Sequence, residues 1–275
     1  MDIQPLSPHV GSEITGVDLA HASDAELEQI RQVYLDRGVV FFRHQQLTPE
    51  DHIAFAKRWS DIDLNAYFAP VDGYPEIAHV VKEPHQERAI GGGWHTDHSY
   101  DEAPAMGSIL RCVEAPPVGG DTMWACMGAA LDSLSAGFKD LLRTLRAVHT
   151  NEVVFSPELL AEAGFEGRID NDARDARTAV HPVVVKHPDT GRELLYVNPG
   201  FTAGIEGWND DESKALLDFL FQHAVRPTRT VRFHWEPGSV AFWDNRRTWH
   251  MAINDYPGER RSMHRITLTG VPLGP

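Results

Sequence analysis

Apolar residues in this chain come in short runs that keep ending at glycine or proline, and this punctuation restricts the fold more than any other feature. Val39-Val40-Phe41-Phe42 follows Gly38, residues 106–113 run toward Pro116-Pro117-Val118-Gly119-Gly120, and residues 230–235 and 239–243 flank Glu236-Pro237-Gly238. Runs of roughly four to eight apolar or alternating residues bounded by turn formers read as strands. The pattern recurs at residues 11–19, 76–81, 121–127 and 261–268, and residues 180–186 and 193–197 bracket an Asp/Gly turn as a hairpin. Helical spacing is confined to a few stretches: 25–37 behind a cap offered by Ala22-Ser23-Asp24, 48–59 with Pro49 in its first turn, 128–136, 138–145 and 210–224. Many short strands with a few flanking helices indicate a mainly β fold, a double-sheet barrel of jelly-roll type. Residues 61–75 and 82–93 read as loops, and residues 154–178 as a lid with a short helix at 157–163. Without repeats, linkers or low-complexity tracts, residues 1–275 read as one domain.

Bulk properties exclude several classes of function. A net charge of −15 is wrong for a nucleic-acid partner, which needs a basic face. No run approaches the roughly 20 apolar residues that span a bilayer, so no membrane association is expected. Met1-Asp2-Ile3-Gln4-Pro5 has neither the basic start nor the apolar core of a signal peptide, which points to the cytoplasm. Cys112 and Cys126 are the only cysteines and read as packed small hydrophobes in a reducing compartment.

Chemistry concentrates at Trp94-His95-Thr96-Asp97, just after Gly91-Gly92-Gly93. On an extended strand, His95 and Asp97 point to the same side. A third metal ligand is then needed, and His250, downstream of Trp243-Asp244-Asn245, is the candidate. Two histidines and one carboxylate on one face of an octahedron leave three positions open, as in non-haem Fe(II) oxygenases. Arg261 and Arg265 share one face of a strand, with Met263 between them. Inward arginines are costly unless neutralised, either by an internal salt bridge or by a bound carboxylate or sulfonate that fits the guanidinium fork.

With these residues in place the chain resembles the taurine/2-oxoglutarate dioxygenases (TauD/TfdA-like) of the Fe(II)- and 2-oxoglutarate-dependent superfamily. The matching residues are Trp94-His95-Thr96-Asp97, Gly119-Gly120-Asp121-Thr122 with Trp124, Leu195-Tyr196-Val197-Asn198 with Gly200-Phe201, Trp243-Asp244-Asn245 to His250, and Arg260 to Arg265. Their order holds from about Gly11 to Gly270. The resemblance implies a double-stranded β-helix (cupin-like jelly roll) with iron on His95, Asp97 and His250. It implies that Thr122 and Arg261 hold the distal carboxylate of 2-oxoglutarate, and that Arg265 anchors the substrate's anionic group. With O2, the reaction releases succinate and CO2, and a carboxylate at Asp97 implies hydroxylation where related halogenases carry a small residue. It further implies a homo-oligomer, a dimer or tetramer.

The substrate pocket departs from the taurine pattern. Asn65 and Phe68 stand where taurine enzymes carry His and Tyr, and Gly91 stands where they carry Asn. Phe155 and Phe201 match two aromatic wall positions. A bulkier anionic substrate than taurine is expected: an alkyl sulfonate, a sulfate ester or an aryloxyalkanoate. Trp94, Trp243 and Trp249 are expected to wall the metal site, and His98 and Tyr100 fit either its mouth or its support. Two rivals use the same triad: a zinc hydrolase, which leaves Arg261 and Thr122 without a role, and a non-catalytic barrel that binds a small acid.

Overall fold

Two β-sheets that share a core, with helices on their outer faces, form the centre of the computed structural model, which describes residues 1–155 and 176–275; a three-stranded and a two-stranded sheet lie beside them among the described residues. The larger sheet has nine strands among the described residues. Its order is Asp2–Pro5, Ser12–Thr15, Val39–Phe42, Val240–Asp244, Gly107–Glu114, Arg261–Leu268, Tyr74–Lys82 and Pro70–Val71, with Ile62–Asp63 paired to Arg261–Leu268. The smaller sheet sets Thr122–Cys126 between Thr230–Phe233 and Thr248–Ala252. His250 rides on Thr248–Ala252, and Arg261 and Arg265 on Arg261–Leu268.

Alternation with period two sorts the side chains between cores. Phe41, Leu110, Trp243 and Met263 of the large sheet meet Trp124 and Phe233 of the small one. Val40, Phe42, Ile109, Phe242 and Ile266 of the same strands face outward onto Ile30, Tyr34 and Phe55. Those three come from helices Asp24–Arg37 and Pro49–Lys57. On the far side of the small sheet, Ala125 and Trp249 pack against Leu131, Leu142, Leu217 and Leu220. Each such fully buried apolar side chain contributes about 1.5–3 kcal/mol, so Val39–Phe42, buried at all four positions, is among the firmest strands.

The helix starts are fixed locally. Ser23 with Glu26, Thr48 with Asp51 and Asn209 with Glu212 form reciprocal capping boxes, and Gly38 at φ +73° ends Asp24–Arg37 in the left-handed region.

Several elements differ from the sequence expectation. Residues 180–186 are not one strand: Thr178–Pro182 pairs with Arg146–Thr150, and Val184–Lys186 starts again as the hairpin partner of Glu193–Leu195. Pro182, without an N–H, is where the first ladder stops. Residues 230–235 and 239–243 belong to different sheets, so the turn at Pro237 carries the chain across the core. Residues 61–75, expected as loop, hold two two-residue strands. Arg146–Thr150 and Thr202–Ile205 were not expected at all. The helix expected at 157–163, and most of the lid expected at 154–178, lie outside the described residues. Among the described residues no helix is long and apolar enough to cross a membrane, and Cys112 and Cys126 are buried free thiols.

Candidate active site

His95 and His250 are clamped backbone to backbone. The His95 N–H donates to the His250 carbonyl at 3.0 Å, and the His250 N–H donates back to His95 at 2.7 Å. This is an isolated antiparallel bridge, not the longer strand expected around His95. After it the chain turns, with His98 at φ +58°. One bridge suffices to bring Asp97 in: its Oδ1 lies 3.8 Å from Nε2 of both His95 and His250. The three donor atoms lie within 4.8 Å of one another, close enough to share a metal ion.

The donor set is also in the right charge state. Burial pushes both imidazoles below their ordinary pKa, His250 strongly, so their lone pairs are free. Nδ1 of His95 donates to the Gly93 carbonyl at 2.8 Å, which leaves Nε2 as the acceptor facing Asp97. Burial alone would raise the Asp97 carboxyl, but Arg265 and then the two histidines hold it well below the usual carboxylate range. Gly200 makes room: a Cβ there would come 2.6 Å from the His95 Cβ.

Arg261, Met263 and Arg265 do share a face. Met263 joins the inter-sheet core, and both arginines line the cavity that holds the triad. The two guanidinium groups differ in their partners. Arg265 Nη1 lies 3.4 Å from Asp97 Oδ1, and its Cζ sits 5.1 Å from the Phe68 ring centre. Arg261 is 6% exposed and donates to the Gly120 carbonyl at 3.0 Å and to Thr122 Oγ1 at 3.3 Å. Trp235 donates its indole N–H to the same Thr122 oxygen at 2.9 Å. Among the described residues no carboxylate pairs with Arg261. A desolvated cation without a counter-ion is costly, and a bound anion removes that cost.

The cavity measures about 510 Å3. Phe68, Phe155 and Phe201 line it as expected, together with His98, Tyr100 and the unanticipated Tyr67. Tyr67 and Phe155 stack at 4.5 Å. Asn65 is not among the lining residues: its Oδ1 accepts the N–H groups of Tyr67 and Phe68, both at 2.9 Å, and so shapes the turn that presents both rings. Burial would lower the His98 pKa, but hydrogen bonds to Asp101 and Asp63 push it up to about 9. Trp243 lies 4.7 Å from the His250 ring and lines the cavity, but Trp94 and Trp249 pack into the core behind the small sheet. Each adjoins a metal-ligand candidate in sequence and therefore faces the opposite way.

A profile of the family described as "Taurine catabolism dioxygenase TauD, TfdA family" matches residues 2–267. The chain belongs to that family. Its full length is 35% identical to an alpha-ketoglutarate-dependent sulfate ester dioxygenase of Pseudomonas putida, over 91% of that protein. Among solved structures it resembles a taurine dioxygenase from Burkholderia xenovorans, with a TM-score of 0.85 at 41% identity, covering 100% of this chain and 93% of that one. It also resembles AAD-2 in complex with Mn(II) and N-oxalylglycine, with a TM-score of 0.81 at 25% identity, covering 98% and 97% of the two chains. This TauD/TfdA family protein is thus a 2-oxoglutarate-dependent dioxygenase of jelly-roll fold, working with Fe(II), 2-oxoglutarate and O2. The zinc-hydrolase and binding-barrel alternatives give way to that assignment.

Proposed function

We propose that His95, Asp97 and His250 hold the iron, that Thr122 and Arg261 receive the distal carboxylate of 2-oxoglutarate, and that Arg265 anchors the anionic head of an alkyl sulfate ester. Arg261 carries the reading. It is a buried cation without a carboxylate partner among the described residues, and it faces the same cavity as three metal-ligand candidates. Its planar fork suits a carboxylate, and the Thr122 hydroxyl beside it supplies one further polar contact.

The resident group, once bound with 2-oxoglutarate and O2, supplies the oxidising power that places one oxygen atom on a substrate carbon while 2-oxoglutarate becomes succinate and CO2. The protein's own part is to bind, orient and keep water out. Arg265 fixes the substrate's anionic end close to Asp97, and Phe68, Phe155 and Phe201 hold its apolar body, so that the carbon next to the head lies nearest the metal. Hydroxylation there converts R–CH2–O–SO3− into an unstable α-hydroxy ester, which separates into an aldehyde and sulfate plus a proton.

Similarity to the sulfate ester dioxygenase supports this head group. The cavity supports an apolar body, since its volume falls within the roughly 300–1,000 Å3 of sites for drug-sized ligands. Gly91 and Phe68 line it and offer no side-chain hydrogen bond for the amine of taurine. A single catalytic domain fits the family match over residues 2–267, and a cytoplasmic setting fits two free thiols.

The test has two steps. Anaerobic addition of Fe(II) and 2-oxoglutarate is expected to give a visible charge-transfer band. Substrate-dependent succinate formation is then scored across alkyl sulfates, alkyl sulfonates, aryloxyalkanoates and taurine. Alkyl sulfates are expected to lead; taurine in first place, or no band, overturns the assignment.

A further inference from the structure

We propose that Ser108 and Asn245 are positioning residues that decide which oxygen of Asp97 faces the metal. The inference rests on Asp97 being an iron ligand. Ser108 Oγ donates to Asp97 Oδ2 at 2.9 Å. The other oxygen, Oδ1, is the one placed 3.8 Å from each imidazole Nε2.

The serine is itself held in place. Asn245 Nδ2 donates to Ser108 Oγ at 3.2 Å, and the Trp243 indole N–H donates to Asn245 Oδ1 at 2.7 Å. An indole N–H can only donate, so it identifies the oxygen end of the amide and turns the NH2 end toward Ser108. The Ser108 oxygen receives that N–H and keeps one proton of its own, which goes to Asp97. Every link of the relay thus has one direction: Trp243 to Asn245, Asn245 to Ser108, Ser108 to Asp97. All four residues are buried. Thr96 adds a second tie by donating its hydroxyl to the Asn245 backbone carbonyl. The segment His95–Asp97 is thereby fastened at Thr96 and at Asp97 to the turn that leads to His250.

The consequence is chemical. Two histidines and a one-oxygen carboxylate leave three positions on an octahedral ion, enough for a bidentate keto acid and O2. A carboxylate free to swing could engage through both oxygens and occupy one of them. With Oδ2 committed to Ser108, Asp97 offers only Oδ1.

The test uses the full-length protein titrated with Fe(II) without oxygen, followed by 2-oxoglutarate. Ser108→Ala is expected to fold with a melting temperature a few degrees below the parent's, since it leaves a buried carboxylate oxygen and a buried amide N–H without their partner. It is expected to bind Fe(II) about 10–100-fold more weakly, the usual effect of removing a group that orients a metal ligand, and to shift the charge-transfer band. Ser108→Thr, which keeps the hydroxyl, is expected to restore both. Thr267→Val is the control: Thr267 sits opposite Ser108 in the neighbouring strand and its hydroxyl has no hydrogen-bond partner among the described residues, so affinity and band should stay at parental values. If Ser108→Ala does not fold, Ser108→Cys, with a weak donor of similar shape, is expected to move affinity in the same direction. Parental affinity and band in Ser108→Ala (or in Ser108→Cys where that variant is used), or an equal loss in Thr267→Val, overturns the relay. No band in the parent protein overturns the iron assignment instead.

Discussion

Arg265 Nη1 lies 3.4 Å from Asp97 Oδ1, so the guanidinium proposed to anchor the substrate also rests on the carboxylate proposed to hold the metal. On that reading a substrate anion must share Arg265 with Asp97 or draw it away. Substrate binding and the metal site would then be coupled through one arginine.

Arg265→Ala is expected to raise the KM for the organic substrate by about 30-fold or more, since losing one member of a buried charge pair costs about 2–5 kcal/mol. The KM for 2-oxoglutarate should change little. Steady-state succinate formation, varying each substrate in turn, reads both constants.

Arg261→Ala should do the reverse. Its fork is the group proposed to receive the distal carboxylate, with the Thr122 hydroxyl beside it, so the 2-oxoglutarate KM should rise by about 30-fold or more while the organic substrate's KM holds. Equal effects of the two substitutions on both constants would remove the division of labour between the arginines.

Gly200→Ala places a Cβ 2.6 Å from the His95 Cβ. Overpacking of this kind costs about 1–3 kcal/mol. Because the displaced group is a metal-ligand candidate, Fe(II) affinity is expected to drop about tenfold or more while the protein still folds. Anaerobic Fe(II) titration beside thermal melting checks the pair, and unchanged affinity would show that His95 does not depend on this gap.

Acid should destabilise the fold through histidines buried neutral. Burial pushes His149 from 6.5 down to about 3, and His52 likewise. Above pH 6.5 both are neutral whether folded or not and contribute nothing to the pH dependence. As pH falls from 6.5 toward 3, only the unfolded chain takes up the protons, so stability falls by about 1.4 kcal/mol per pH unit for each group. Urea denaturation at pH 7, 6 and 5 measures the slope. His149→Gln is expected to flatten it by about that amount per pH unit, and an unaltered slope would mean that His149 takes up its proton in the folded state.

Helix ends and strand faces were legible where local chemistry decides them. Gly38, Pro49 and the cap at residues 22–24 need only their immediate neighbours, and Arg261, Met263 and Arg265 need only the two-residue period. The pair His95 and Asp97 was legible for the same reason, whereas His250, far away in the chain, was reached only through the motif around Trp243-Asp244-Asn245. Residues defined by pairing were not. Ser108 looks like any small strand residue until the register sets it opposite Trp243. Asn65 looks like a pocket residue until its carboxamide is seen capping the turn beneath Tyr67. Trp249 showed the opposite failing: strict alternation already placed it behind the sheet, and proximity in sequence was the wrong guide.

The reciprocal peptide hydrogen bonds between His95 and His250 run main chain to main chain and engage neither imidazole. Two of the three ligand candidates are therefore fastened together by a rivet that their own side chains do not share. Replacing either ring leaves that rivet in place, so the donor atoms can be exchanged one at a time without parting the two segments that carry them.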